Sequence, residues 1–168
     1  MKRATLDREE FKILFDQQFD SVRRYILYRS GNAELATDIV QDAFMKLWEK
    51  RNKVNLKTSK ELLFKMASDL YISRYRKEKL TEQYLKSFQF LNKEYSPQEQ
   101  MEFNQLKQVY ENALVGMGEK QRVVFLMSRV DEYKYSEIAE NLNISVKAVE
   151  KRMNVALSYL RKILNRNE

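Results

Sequence analysis

The sequence predicts an all-α protein made of two small helical domains joined by a flexible linker, the C-terminal one a helix-turn-helix. Three observations predict it. Glycine and proline are scarce, three and one in 168 residues, whereas strands joined by tight turns need more of both. Apolar residues recur three and four positions apart along almost the whole chain. One stretch of weaker periodicity, "RKEKLTEQYLKSFQFLNKEYSP", interrupts that pattern.

The first helix starts after Asp7, with Glu10 three residues on, the spacing of a capping box. It carries Phe11, Leu14, Phe15, Val22, Tyr25 and Ile26 on one stripe and stops before Gly31. Leu35, Ile39, Val40, Ala43 and Leu47 form the stripe of a second helix. Thr58 with Glu61 caps a third, which carries Leu63, Met66, Ala67 and Leu70. The interruption places a linker at residues 81–96, between a unit at 1–80 and a unit at 97–168. Ser96-Pro97-Gln98-Glu99 then supplies an N-cap, a proline at the first helical position and a glutamate three after the cap, opening a helix that runs to about Gly116. Units of this size bury only ~60% of their unfolded surface. The linker lacks a strong apolar stripe to dock them, so the two are expected to move independently.

The stretch "YSEIAENLNISVKAVEKRMNVALSYLRKIL", Tyr135 to Leu164, reads as two helices with a sharp turn. Ser136 caps a short helix through Leu142, and Ala139 is small enough to let two backbones approach. Asn143 follows, a residue type that tolerates the left-handed conformation of a tight turn. Ser145 caps the second helix, whose inner stripe is Val149, Met153, Ala156, Leu160 and Ile163. That leaves Lys147, Ala148, Lys151, Arg152, Asn154 and Val155 facing outward near its start, the end that enters the major groove in a helix-turn-helix. A plain helical hairpin would share the apolar pattern but would have no need of the basic outer face.

Charge is distributed to match. The chain has 31 Lys+Arg against 24 Asp+Glu, a net charge of +7, which favours an anionic partner. Residues 57–79 hold seven basic and three acidic side chains, and residues 145–166 hold six and one, while 97–142 hold five and eight. Two basic helices in two separate units, with acidic helices behind the second, suit a long polyanion touched at two places. Several classes are excluded. With no cysteine there is no disulfide framework or thiolate metal site, and with no histidine the commonest general base and metal ligand is missing. No run of ~18 apolar residues and no signal-peptide pattern occurs. The expectation is a cytoplasmic protein that is not an enzyme and needs no metal or cofactor.

The segment "MGEKQRVVFLMSRVDEYKYSEIAENLNISVKAVEKRMNVALSYLRKIL" resembles region four of extracytoplasmic-function (ECF) sigma factors. "FKILFDQQFDSVRRYILYRSGNAELATDIVQDAFMKLWEKR" with "LLFKMASDLYISRYRKEK" is similar to their region two. The resemblance covers nearly the whole chain in the right order. It implies two helical domains, region two at 1–80 and region four at 97–168, and a protein that binds core RNA polymerase and directs it to promoter DNA. It implies that Asp38, Gln41, Asp42 and Met45 grip the coiled coil of the polymerase beta-prime subunit, flanked by Phe44 and by Trp48, the latter expected in the core. It implies that the loop residues Asn52, Lys53, Asn55 and Lys57, with Lys65, Ser68, Asp69, Arg74 and Arg76 on the next helix, hold melted minus-ten DNA. Unstacking a base costs a few kcal/mol, which a pocket and backbone contacts offset. Ser145, Lys147, Ala148, Lys151 and Arg152 correspond to the minus-thirty-five reader. An anti-sigma factor enters as a partner through the resemblance alone. The sequence departs from the family pattern at Leu62, Asp69 and Ser73, and again at Gly118, Asn143 and Val155, where a proline, a glycine and an arginine are common. An acidic Asp69 puts the usual minus-ten contacts in question, and Val155 removes one phosphate contact. A helix-turn-helix regulator that does not serve polymerase would share the C-terminal half and leave "DIVQDAF" unexplained.

Overall fold

The computed structural model describes residues 5–75 and 97–165, with the backbone alone described at 74–75 and 97–103. Among them lie seven α-helices: α1 Arg8–Ser30, α2 Ala33–Glu49, α3 Leu56–Tyr75, α4 Pro97–Gly116, α5 Glu119–Arg129, α6 Tyr135–Leu142 and α7 Val146–Leu164. The expected linker falls outside the described residues.

The capping logic holds at most helix ends. The Asp7 carboxylate accepts from Glu10 N at 2.8 Å, and Asp7 N donates to the Glu10 carboxylate at 3.0 Å. Gly31 ends α1 in the left-handed region, φ 67°, which a residue without Cβ adopts freely. Asn32 then caps α2 through Leu35 N at 3.0 Å. Two expected caps are displaced. Asn55, not Thr58, caps α3. Its side-chain oxygen accepts from Thr58 N at 3.0 Å and from the Thr58 hydroxyl at 3.2 Å, so the helix begins earlier than expected and Thr58 lies in its first turn. Ser136 lies inside α6 rather than at its start, where Lys134 N donates to the Glu137 carboxylate at 2.8 Å. Counted from Lys134, Glu137 is the third helical position and accepts that bond; counted from Ser136 it would be the first, so the glutamate favours the earlier start. α4 begins at Pro97 and ends at Gly116 as the sequence predicts. A Cβ at Gly116 would meet the Tyr159 hydroxyl of α7, so the glycine lets the end of α4 approach that helix.

Helices α1, α2 and α3 pack on one another. Leu35, Ile39, Val40, Ala43 and Leu47 of α2 and Leu63, Met66, Ala67 and Leu70 of α3 are all buried, as their spacing requires. In the second unit α5, α6 and α7 pack together, with Val149, Met153, Ala156 and Leu160 buried on one face of α7. The two units also touch each other, a contact the weak apolar stripe of the linker gave no reason to expect. α5 packs on α1, and α6 packs on α3. The reason sits in α1 and not in the linker. Tyr25, Ile26, Leu27 and Tyr28 are consecutive and all buried, so this turn of α1 has no solvent face. A helix apolar on every side must be covered on every side, and α2 and α3 cover only part of it.

Candidate polymerase and promoter surfaces

On α2, Asp38, Gln41 and Met45 are exposed and Asp42 is half-buried, opposite the buried stripe. Met45 is 62% exposed, the most of any large apolar side chain described. Gln41 and Met45 also rim a groove of about 540 Å³ between α1 and α2, floored by Phe11, Phe15, Phe44 and Trp48 with Arg8 at one side. Its rings meet in tilted pairs, Phe11 with Trp48 at 4.9 Å and Phe15 with Phe44 at 4.9 Å, with the Arg51 guanidinium 4.5 Å over Trp48. Trp48 is thus half-buried at a groove wall and not in the core, with Arg51 over its ring and Phe11 beside it. Acidic side chains beside an exposed apolar groove can hold a partner helix with basic and apolar positions.

The loop after α2 is a 3₁₀ turn, Arg51–Lys53, pinned by Val54, which is 6% exposed, and by the bond from Leu6 N to Arg51 O at 2.9 Å. That pinning projects Asn52, Lys53, Asn55 and Lys57 to solvent. Asn55 Oδ1 is occupied as the cap of α3, which leaves its amide group as the hydrogen-bonding end for an outside ligand. Lys65 and Asp69 are exposed on α3, and Ser68 is half-buried, its hydroxyl accepting from Arg29 Nη1 at 2.7 Å. Arg74 is placed by its backbone alone, within α3, and Arg76 lies outside the described residues. Loop and helix therefore present the amides of Asn52 and Asn55, the lysines Lys53, Lys57 and Lys65, and the Asp69 carboxylate to solvent.

At the turn between α6 and α7, Asn143 adopts φ 51°, ψ 51°, the left-handed conformation expected of it, and Ile144 N bonds to Ala139 O at 3.0 Å. Ser145 Oγ accepts from Ala148 N at 3.1 Å and caps α7. Lys147 and Lys151 are exposed, and Ala148 and Arg152 are half-buried. Val155 is 46% exposed on the same outer face. All five residues assigned to reading the minus-thirty-five element lie at the start of α7, where free backbone N–H groups and the helix dipole favour a phosphate.

Sequence spacing gave no sign of the polar seam between the units. Arg122 is 2% exposed, yet its guanidinium donates to Tyr28 O at 2.9 Å and Arg29 O at 3.3 Å at the end of α1, and to Met117 O at 2.8 Å and Leu114 O at 3.3 Å at the end of α4. Two helix C-termini, each with unsatisfied carbonyls and partial negative charge, thus converge on one cation. Arg29 donates to Glu119 at 2.8 Å as well as to Ser68, and its guanidinium lies 4.5 Å over the Tyr71 ring. Arg24 and the Tyr28 hydroxyl both donate to Asp131. Burial pushes the Asp131 carboxyl above the usual carboxylate range, and the Arg24 charge only partly opposes this. Burial lowers Arg24 less than Asp131 and the nearby tyrosines raise it, so it is held more firmly protonated. The asymmetry follows exposure: the Arg24 side chain keeps 40% of its surface in water and that of Asp131 keeps 4%, so desolvation falls on the carboxylate.

Among the described residues no group of three or more His, Cys, Asp or Glu could hold a metal, and no helix is long and apolar enough to cross a membrane. Comparison with known proteins gives consistent matches. Residues 14–81 match the family model described as Sigma-70 region 2, and residues 107–160 match Sigma-70, region 4. The chain is 24% identical over 151 residues to the ferric citrate uptake sigma factor FecI of Escherichia coli, covering 89% of this chain and 87% of that protein. It is 27% identical over 170 residues to the ECF RNA polymerase sigma factor SigW of Bacillus subtilis, covering 94% and 90%. The fold is similar to that of the sigma factor RpoE from Bartonella quintana, solved in complex with the anti-sigma factor NepR. The TM-score is 0.61 at 18% identity, over 95% of this chain and 99% of that one. With two segments matched in order across more than half its length, the chain belongs to the sigma-70 family.

Proposed function

We infer that this chain is an ECF-type sigma factor that binds core RNA polymerase and directs it to promoter DNA for initiation. The observation that carries the inference is the presence, in order, of the region-two and region-four matches on one chain, with a helix-turn-helix in the second. A helix-turn-helix regulator would need only the second. The division is region two at 1–80, a linker at 81–96 and region four at 97–168. Asp38, Gln41, Asp42 and Met45 bind polymerase, supported by their exposed face and its continuity with the aromatic groove. Asn52, Lys53, Asn55, Lys57, Lys65, Ser68, Asp69, Arg74 and Arg76 hold the melted minus-ten strand. Ser145, Lys147, Ala148, Lys151 and Arg152 read the minus-thirty-five element. The protein acts in the cytoplasm, where its polymerase is, and performs no catalysis of its own. An anti-sigma factor is its natural regulatory partner in such a scheme.

Run-off transcription with purified core polymerase tests this reading. Adding the chain is expected to switch on specific transcripts from genomic fragments; repression or no effect would exclude it. Within the same assay, the double variant Asp38→Lys/Asp42→Lys is expected to weaken core binding at least tenfold with helicity unchanged, through repulsion and lost pairing worth ~1.4 kcal/mol or more. Unaltered binding would remove the α2 face from the interface.

A further inference from the structure

We propose that Glu150 and Asn154 are specificity-determining residues of the minus-thirty-five contact, Glu150 selecting cytosine and Asn154 selecting adenine in the major groove. This rests on the sigma-factor reading of α7 and adds to the residues already placed at its start. α7 turns its buried stripe to α4, α5 and α6. Outside that stripe, Glu150 and Asn154 line one open depression of about 720 Å³ with Lys147, Lys151 and Ser158, and all five are exposed. The fold gives neither Glu150 nor Asn154 a task. Glu150 is the single acid in residues 145–166, against six basic side chains. It lies beyond the first turn of α7, which holds no acidic side chain, so the helix dipole does not call for it. Among the described residues it forms no ion pair, although Lys147 and Lys151 stand within a turn of it. Asn154 is in mid-helix, where asparagine is a poor helix former, and its exposed amide caps no helix end.

A carboxylate turned toward DNA meets a polyanion with one charge per ~1.7 Å of axis, so it weakens binding to every sequence unless a base edge offsets the repulsion. In the major groove cytosine shows the N4 amino group, a donor, whereas guanine N7 and O6 and thymine O4 are acceptors that repel a carboxylate. Adenine shows donor N6 beside acceptor N7, which matches the paired donor and acceptor of an amide and suits a carboxylate less. Glu150 thus selects cytosine by attraction and rejects guanine and thymine by repulsion. Lys147 and Lys151 beside it supply the phosphate contacts that keep the helix in the groove. Four residues along a helix rise ~6 Å, and base pairs step by ~3.4 Å, so the two selected positions lie within about two steps of each other.

Wild-type holoenzyme would select sites from duplexes of random sequence. Binding to every single-base change across the minus-thirty-five segment of the selected site would then be ranked for the parent, Glu150→Ala, Glu150→Gln and Asn154→Ala. The parent is expected to prefer cytosine at one position and adenine at another, within about two steps. Glu150→Ala should lose about tenfold of the cytosine preference while binding the other three bases more tightly than the parent does. Glu150→Gln keeps the shape of the side chain, and its amide should move the preference at that position from cytosine to adenine, a gain that misfolding cannot produce. Asn154→Ala should lose about tenfold of the adenine preference and leave the cytosine position as it was. A ranking that survives these substitutions would overturn the proposal. So would a uniform gain in Glu150→Ala, which would make the carboxylate a repelling surface charge and nothing more. Failure of the sigma reading looks different: wild-type chain with core polymerase would select no site that core polymerase alone does not, which would overturn both.

Discussion

Arg152 and Lys151 are neighbours in sequence with opposite prospects on DNA. Lys151 is exposed, which suits it to a phosphate, a contact that positions without specifying. Arg152 is half-buried at the start of α7, where a fork held in place can pair with a guanine at ~1–3 kcal/mol of discrimination. Arg152→Ala is expected to flatten the ranking of single-base minus-thirty-five variants bound by holoenzyme. Lys151→Ala is expected to keep the ranking, lower every signal and reduce the salt slope by about one unit. Ranked binding at two salt concentrations separates them, and a retained ranking in Arg152→Ala would make that residue a backbone contact. Arg122 is the other residue whose role is decided by burial. Removing its guanidinium strips four carbonyls at two helix ends of a charged donor. Arg122→Ala should lower the unfolding free energy in urea by roughly 3 kcal/mol, since bonds to a charged donor contribute ~1.5–3 each and water can replace only some. A loss under ~1 kcal/mol would mean the carbonyls rehydrate freely. The sequence marked Arg152 through its helix-turn-helix position, but nothing marked Arg122. Its partners are backbone atoms from distant helix ends, which leave no pattern in residue types.

At the scale of elements, the turn between α6 and α7 decides where α7 points. Asn143 at φ 51° is one of two non-glycine residues with positive φ among those described. Asn143→Gly should be neutral within ~0.5 kcal/mol, whereas Asn143→Ala should cost about 1 kcal/mol, the penalty of a Cβ in the left-handed region without a short polar side chain. Urea unfolding of the two variants provides the measurement, and equal stabilities would show that the turn relaxes. This turn was legible because its conformation selects residue type. The apolar stripes of α2, α3 and α7 were legible for the same reason, since one face of each must be dry. The starts of α3 and α6 were less so. Asn55 and Thr58 are both good caps by residue type, and only the bond from Thr58 N to Asn55 Oδ1 shows which is used. Trp48 was misplaced because a large aromatic suits a groove wall as well as a core.

For the molecule as a whole, the contact between units was the least legible feature, although "YILY" at residues 25–28 announced it: four consecutive buried positions exceed what one packing face can cover. Its electrostatics give a prediction with a definite sign. Burial raises the Asp131 carboxyl above the ordinary range even with Arg24 and Tyr28 donating to it. The folded chain therefore holds that proton more tightly than the unfolded chain does. Stability from this group is fullest below the ordinary carboxylate pKa of ~3.9, falls as pH rises from there to the raised value, and is level above it. Asp131→Asn removes the ionisation and keeps a side-chain oxygen to accept from Arg24 and Tyr28. All other carboxylates cancel in the difference between the two proteins. The wild-type stability relative to Asp131→Asn is thus expected to decline with rising pH through that interval and then plateau, by ~1.4 kcal/mol for each unit the pKa is raised. Urea unfolding of both proteins from pH 4 to 7 measures it. A difference that grows with pH would mean that Arg24 more than compensates the buried charge, and that the ion pair itself, not the surrounding carbonyl and apolar contacts, holds the two units together.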